Sequence, residues 1–134
     1  MGKLRVAAIA SVALLVTGCG AGQLAEVQPK PLDPLTLSAE QITTVQTTIR
    51  FSLQDPRAAQ FGDIKGGKDQ GGKVVVCGLV NAKNNLGGFT AMTFTGEIDP
   101  SGFKVGALGD IRDVSLAIQQ VCGKQGLVLV AANL

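Results

Sequence analysis

Chemistry has few places to start in this chain. Cysteine occurs at positions 19, 77 and 122, and histidine, tryptophan and tyrosine do not occur. Without imidazole the usual proton shuttle at neutral pH is missing. A thiol nucleophile at Cys77 would have no histidine base, and most triad and zinc chemistry goes with it. The sequence therefore suggests no metal ligands and no cofactor. Paired carboxylates working on cell-wall or glycan material are the remaining catalytic route. The candidates are Asp55, Asp63, Glu97, Asp99, Asp110 and Asp113. They form no convincing constellation, and Asp55, Asp99 and Asp110 already have turn or capping roles. No catalytic residue is assigned, and the reading leans away from an enzyme. The glycine-rich run at 66–72 lacks the Gly-Lys-Ser/Thr and the helix start that a phosphate cradle needs, so it reads as a surface loop.

The chain has 134 residues, room for one domain. A charged fraction of 16% and a mean hydropathy of +0.31 argue against extensive disorder. The formal charge is +2, and loss of Lys3 and Arg5 with a cleaved leader leaves ten basic against ten acidic residues. With no basic run, an electrostatic nucleic-acid partner has no support.

Lys3 and Arg5 precede Val6–Val16, eleven residues with one hydroxyl among them. As a helix this run spans about 16 Å, short of a bilayer core of roughly 30 Å. It reads as the core of a signal peptide. The following Val16-Thr17-Gly18-Cys19-Gly20 resembles a bacterial lipobox: an aliphatic residue, two small residues, then the cysteine. The alternative is an ordinary signal peptide followed by an incidental cysteine. The resemblance implies a diacylglyceryl group on the Cys19 sulfur, cleavage after Gly18 and acylation of the new amine. Residues 1–18 would be the leader and the membrane the first partner. The location would be the bacterial cell envelope, and Gly20 in place of aspartate points to the periplasmic face of the outer membrane in a Gram-negative cell. Several acyl chains hold a protein far more firmly than one. Residues 19–37 then carry the lipid and a tether with Pro29, Pro31 and Pro34, which at polyproline spacing reaches about 50 Å.

Residues 38–134 read as the domain. Ser38-Ala39-Glu40-Gln41 matches a capping box, and Ile42, Val45, Ile49 and Leu53 follow as one apolar stripe. Asp55-Pro56 restarts the chain as a short helical turn delivering Phe61 to the core. Phe61–Ile64 is expected as a short strand and Val74–Val80 as a central one. Asn81–Gly88 is expected to turn the chain, Phe89–Ile98 to return it, and Asp99-Pro100-Ser101-Gly102 to form a tight turn before a third strand at Phe103–Leu108. Asp110 caps a second helix to about Cys122, with Ile111, Val114, Ala117, Ile118 and Val121 as its stripe and Gly123 as its left-handed stop. Gly126–Ala131 reads as a closing strand. The sum is an α+β single small domain, an antiparallel sheet of four to five strands with two helices on one face.

Asp55-Pro56…Ala59…Phe61, with Val76-Cys77-Gly78-Leu79-Val80-Asn81-Ala82-Lys83-Asn84…Gly87-Gly88-Phe89, resembles a pattern in small uncharacterised bacterial lipoproteins. The likeness covers about a third of the chain and implies a recurring unit without an activity.

Two residues of interest remain once Cys19 is assigned to lipid. In an exported domain Cys77 and Cys122 are expected to form a disulfide. A buried thiol pair and a reactive thiol are the alternatives. Closing a 45-residue loop contributes about 4 kcal/mol in the chain-entropy account. Asn81, Lys83, Asn84 and Asn85 are the candidate recognition loop, set against their use as turn-forming side chains. The expectation is a membrane-anchored envelope lipoprotein acting as a non-enzymatic binding or structural module, with an envelope protein or glycan as partner. The alternatives are an inhibitor of a secreted enzyme and a carboxylate-based cell-wall or glycan hydrolase.

Overall fold

The computed structural model describes residues 28–109 and 112–131. The leader, Cys19, the first part of the tether, and Asp110 with its capping role lie outside the described residues. The elements are β1 (Asp33–Leu35), α1 (Ala39–Phe51), a 3-10 turn (Pro56–Ala58), β2 (Gln60–Lys68), β3 (Val74–Lys83), β4 (Phe89–Asp99), β5 (Gly102–Gly109) and α2 (Arg112–Lys124). The five strands form one antiparallel sheet in chain order, giving the α+β architecture.

Local chemistry sets the start of α1. Ser38 Oγ accepts from Gln41 N–H at 3.1 Å, and Ser38 N–H donates to Gln41 Oε1 at 2.9 Å, the reciprocal pairing of a capping box. Val45 and Ile49 are buried, with Ile42 and Leu53 packed at the edge of the same cluster. Asp55 accepts from Ala58 N–H and starts the 3-10 turn.

The helices lie on opposite faces of the sheet, which corrects the expectation of one face. Successive side chains of a strand point to opposite sides. In β3, Val76, Val80 and Ala82 join Val45, Ile49, Phe94 and Phe103 on the α1 side, while Cys77 joins Ile118, Cys122 and Leu127 on the α2 side. Burial of β3 on both faces needed two covering layers, and each helix supplies one.

Other expectations are corrected by pairing. The sheet begins inside the supposed tether: Asp33–Leu35 pairs with Gly66–Lys68, and Leu37 is buried. Pro34 is tolerated because β1 is an edge strand, where a missing donor costs no ladder bond. Gly66 and Gly67 belong to β2 rather than to a loop, which is confined to Asp69–Lys73. A Cβ at either glycine would strike Leu37 or Leu32. Asn81 and Lys83 extend β3, so the turn shrinks to Asn84–Gly88. Gly126–Ala131 pairs with no strand. Instead Lys65 Nζ donates to Val128 O, and Val130 N–H donates to Asp63 Oδ2 at 2.9 Å, fastening the segment across β2.

Helix α2 also differs from its expected stripe. Ser115, Ile118 and Cys122 are buried, and Val114 and Val121 are not. The Cys77–Cys122 disulfide pins one end of the helix. Ser115 Oγ and Thr93 Oγ1, 2.6 Å apart, share a buried hydrogen bond at the other, and Gln119 Nε2 donates to Thr93 Oγ1 at 3.0 Å. These side-chain bonds set the rotation of the helix. The left-handed stop is Gly126 (φ 87°), whereas Gly123 is helical.

Candidate functional site

Of the four residues expected to form a recognition loop, Lys83, Asn84 and Asn85 line one groove, and Asn81 does not. Asn81 pairs with Ala91 within the sheet. Asn84 organises the turn: its Oδ1 accepts from Leu86 N–H and Gly88 N–H, each at 3.0 Å, and its Nδ2 donates to Thr90 Oγ1 at 3.2 Å. Its own N–H reaches Gly88 O at 2.7 Å, and Gly87 takes the positive φ (82°) that the turn requires. The Asn84 amide is thus spent on the hairpin. Lys83 and Asn85 are exposed.

The hairpin forms one wall of this groove, which lies on the α1 side and is about 610 Å³ in volume. Ala82, Met92 and Leu108 contribute its apolar floor, from three adjacent strands. Asn84, Asn85, Leu86 and Thr90 stand along one wall, and Ser52, Leu53 and Gln54 along the other. That second wall is the chain leaving α1. It is held by Arg50, whose Nη1 donates to Pro56 O at 2.6 Å and whose guanidinium lies 5.1 Å from the Phe61 ring centre. Ser52 N–H donates back to Ile49 O at 2.9 Å, closing the last turn. The volume is that of a small-molecule or short-segment site.

Among the described residues, Lys83 is the one titratable group lining this groove. The other lining groups are amides, hydroxyls and apolar surface, which can hydrogen-bond and exclude water but cannot move a proton at neutral pH. Sequence reasoning reached only the hairpin wall. Met92 and Leu108 read as ordinary strand interior, Leu53 as helix stripe, and Gln54 carried no signal.

Among the described residues the candidate carboxylates are dispersed, and four of the five are engaged. Asp55 caps the 3-10 turn, Asp63 accepts from Val130 N–H and lies 3.7 Å from Lys65 Nζ, and Glu97 pairs with Lys73 at 3.2 Å. Asp99 accepts from Ser101 N–H at 2.8 Å and pairs with Lys104 across the β4–β5 turn. The Lys104 ammonium, helped by Ser101, holds the Asp99 carboxyl down to about 2. Asp113 is exposed in the first turn of α2. None of these lines the groove. Among the described residues no cluster of three or more metal-ligating side chains forms, and no helix is long and apolar enough to cross a membrane.

Comparison with protein-family models, with curated proteins and with solved structures returns no match.

Proposed function

We propose that this chain is a lipid-anchored protein of the bacterial cell envelope whose domain binds a partner in the groove between the end of α1 and the β3–β4 hairpin. The observation that carries the binding reading is the lining of that groove: an apolar floor, rims of amide and hydroxyl groups, and the Lys83 ammonium. Such a lining suits an envelope protein segment or a glycan, where hydrogen bonds fix orientation and apolar contact supplies affinity. The lipobox-like run ending at Cys19 supports the anchor, and the Cys77–Cys122 disulfide is consistent with an oxidising, exported location. The engagement of Asp55, Asp63, Glu97 and Asp99 in a cap, a backbone hydrogen bond and ion pairs favours binding over glycan hydrolysis.

The test has two arms. Palmitate labelling in a bacterial host should mark the wild-type chain and leave Cys19→Ser unmarked; equal labelling overturns the anchor. A photo-cross-linking side chain at Asn85 should capture a discrete envelope protein or glycan in intact cells, and the same probe at Gln70, in the β2–β3 loop, should not. Identical adducts from both positions overturn the groove.

Inhibition of a secreted enzyme is a second reading, favoured by one observation. Leu86, 95% exposed, projects from a turn that Asn84 makes rigid. A preorganised apolar tip of this kind inserts into a pocket at little entropic cost. Leu86→Ser would abolish capture by a protruding tip while only trimming the rim of a groove.

A further inference from the structure

The described chain begins at Gln28 and is fastened at Leu32, whose N–H donates to Gln125 O at 3.0 Å just beyond the end of α2. The Leu32 side chain packs over Gly67 and joins the Cys77–Cys122 cluster. Leu32, from which the sequence runs back to Cys19, therefore sits on the α2 side of the sheet. Leu32 lies thirteen positions after Cys19, a reach of at most about 45 Å.

That same side carries unpartnered apolar groups. Val121 on α2 is 44% exposed, and Val128 and Val130, on the segment fastened across β2, are 60% and 57% exposed. Val114, 38% exposed and two turns before Val121, lies on the same side of α2. Alternation explains the second pair: Leu127 and Leu129 turn inward to the disulfide cluster, so Val128 and Val130 turn outward. Exposed Lys124 lies at the anchor end of α2, while Asp113 is at the far end of the helix. The groove lies on the other side of the sheet, over Ala82, Met92 and Leu108.

We infer that the outer surface of α2 and the Val128–Val130 segment rest on the lipid surface to which Cys19 is attached, turning the groove away from it. The inference rests on the lipid-anchor reading above. Exposed aliphatic groups near a lysine suit the headgroup boundary, where the apolar parts enter and the ammonium stays wet. Each contact is weak. A short tether makes the encounter intramolecular, with an effective concentration in the millimolar range, so a weak face is occupied when the anchor is in place. A domain held this way would present its groove in a fixed direction.

The chain contains no tryptophan, so single-tryptophan variants report position without background. Val128→Trp, Val121→Trp and Leu86→Trp are purified as the mature protein, weighed intact for the lipid, and placed in phosphatidylethanolamine/phosphatidylglycerol vesicles with and without brominated acyl chains. Tryptophan at 128 and 121 should be quenched at least threefold by the brominated lipid, and tryptophan at 86 should not change. Equal quenching at all three sites, or stronger quenching at 86, overturns the resting face while leaving the anchor intact. A blue-shifted but unquenched emission at 128 that depends on protein density assigns the face to a second copy and overturns the lipid contact. A chain without the lipid mass overturns the anchor itself, and with it this inference. Two reporters on the face keep the test standing if one variant folds poorly.

Discussion

The ring of Phe94 lies directly over the α-carbon of Gly78, its cross-strand partner in the β3–β4 pair. Phe94 is fully buried and also meets Phe61 and Phe103 edge to face, each pair with centroids 6.3 Å apart. A Cβ at position 78 would overlap the ring, so the glycine is the space that lets the largest buried side chain fit. Gly78→Ala should destabilise the domain by about 1–3 kcal/mol through overpacking. Gly123→Ala has the opposite sign. That glycine is helical and a Cβ there meets nothing within 4 Å, so the change should stabilise by up to about 1 kcal/mol. Urea midpoints of the two variants should move in opposite directions, and a common direction would contradict this account.

Reduction of Cys77–Cys122, or the paired change to alanine, reopens a loop of 45 residues. The expected loss is about 4 kcal/mol, a large share of a small domain's stability. It should appear as a drop in thermal midpoint on adding dithiothreitol. An unchanged midpoint would show that the interlock of Ser115, Thr93 and Gln119 holds α2 without the bridge.

Asn84→Ala removes three side-chain hydrogen bonds from the hairpin and should cost about 1–2 kcal/mol. Asn85→Ala, beside it on the groove wall, should stay within about 0.5 kcal/mol. Partner capture should weaken in Asn85→Ala at unchanged stability. Loss of stability in Asn85→Ala, with none in Asn84→Ala, would reverse the assignment.

Asp99 gives a pH dependence whose sign can be worked out. Its carboxyl is depressed from 3.8 to about 2 by Lys104 first and Ser101 second, so the ionised form is the one the fold favours. The contribution is present above about 3.8 and is lost as pH falls through about 2. Lys104 is correspondingly raised above 10.5, so the same contribution fades again as pH rises through that range. Wild type and Asp99→Asn should therefore differ in urea midpoint near pH 6 and converge towards pH 2. Because Lys104 is exposed and Asp99 partly so, the difference should be small and should shrink in high salt. A gap that persists at pH 2 would assign the effect to the turn backbone.

Several features were legible because their causes lie within a few residues. Ser38 and Gln41 are three apart, Asp55 and Ala58 three apart, and Asp99 and Ser101 two apart. The β-branched density of Val74–Val80 marked the central strand for the same reason. The groove was half legible: its hairpin wall announced itself through asparagine and glycine, whereas Met92, Leu108 and Gln54 meet it from segments distant in sequence.

The cysteine pairing was expected from two thiols in a chain read as exported, yet its consequence for α2 was not. A periodic stripe shows that a helix has an apolar side, but not which side docks when Ser115 and Cys122 can be bonded across the gap. The same limit applies to Asp33–Leu35 and Gly126–Ala131. The first, with its proline, joins the sheet, and the second, more apolar, does not, because edge positions are decided by which neighbour offers free backbone groups.

The amino-acid sequence by itself determined the capped helix, the turns and the central hairpin, since each rests on contacts within one turn or one strand repeat. Only the tertiary structure decided that the helices cover opposite faces and that the groove and Leu32 lie on opposite sides. Strand alternation makes both assignments available to the same residues. The choice between them is made by partners dozens of positions away, in particular by Cys122 meeting Cys77 on the face that Val76 and Val80 leave open.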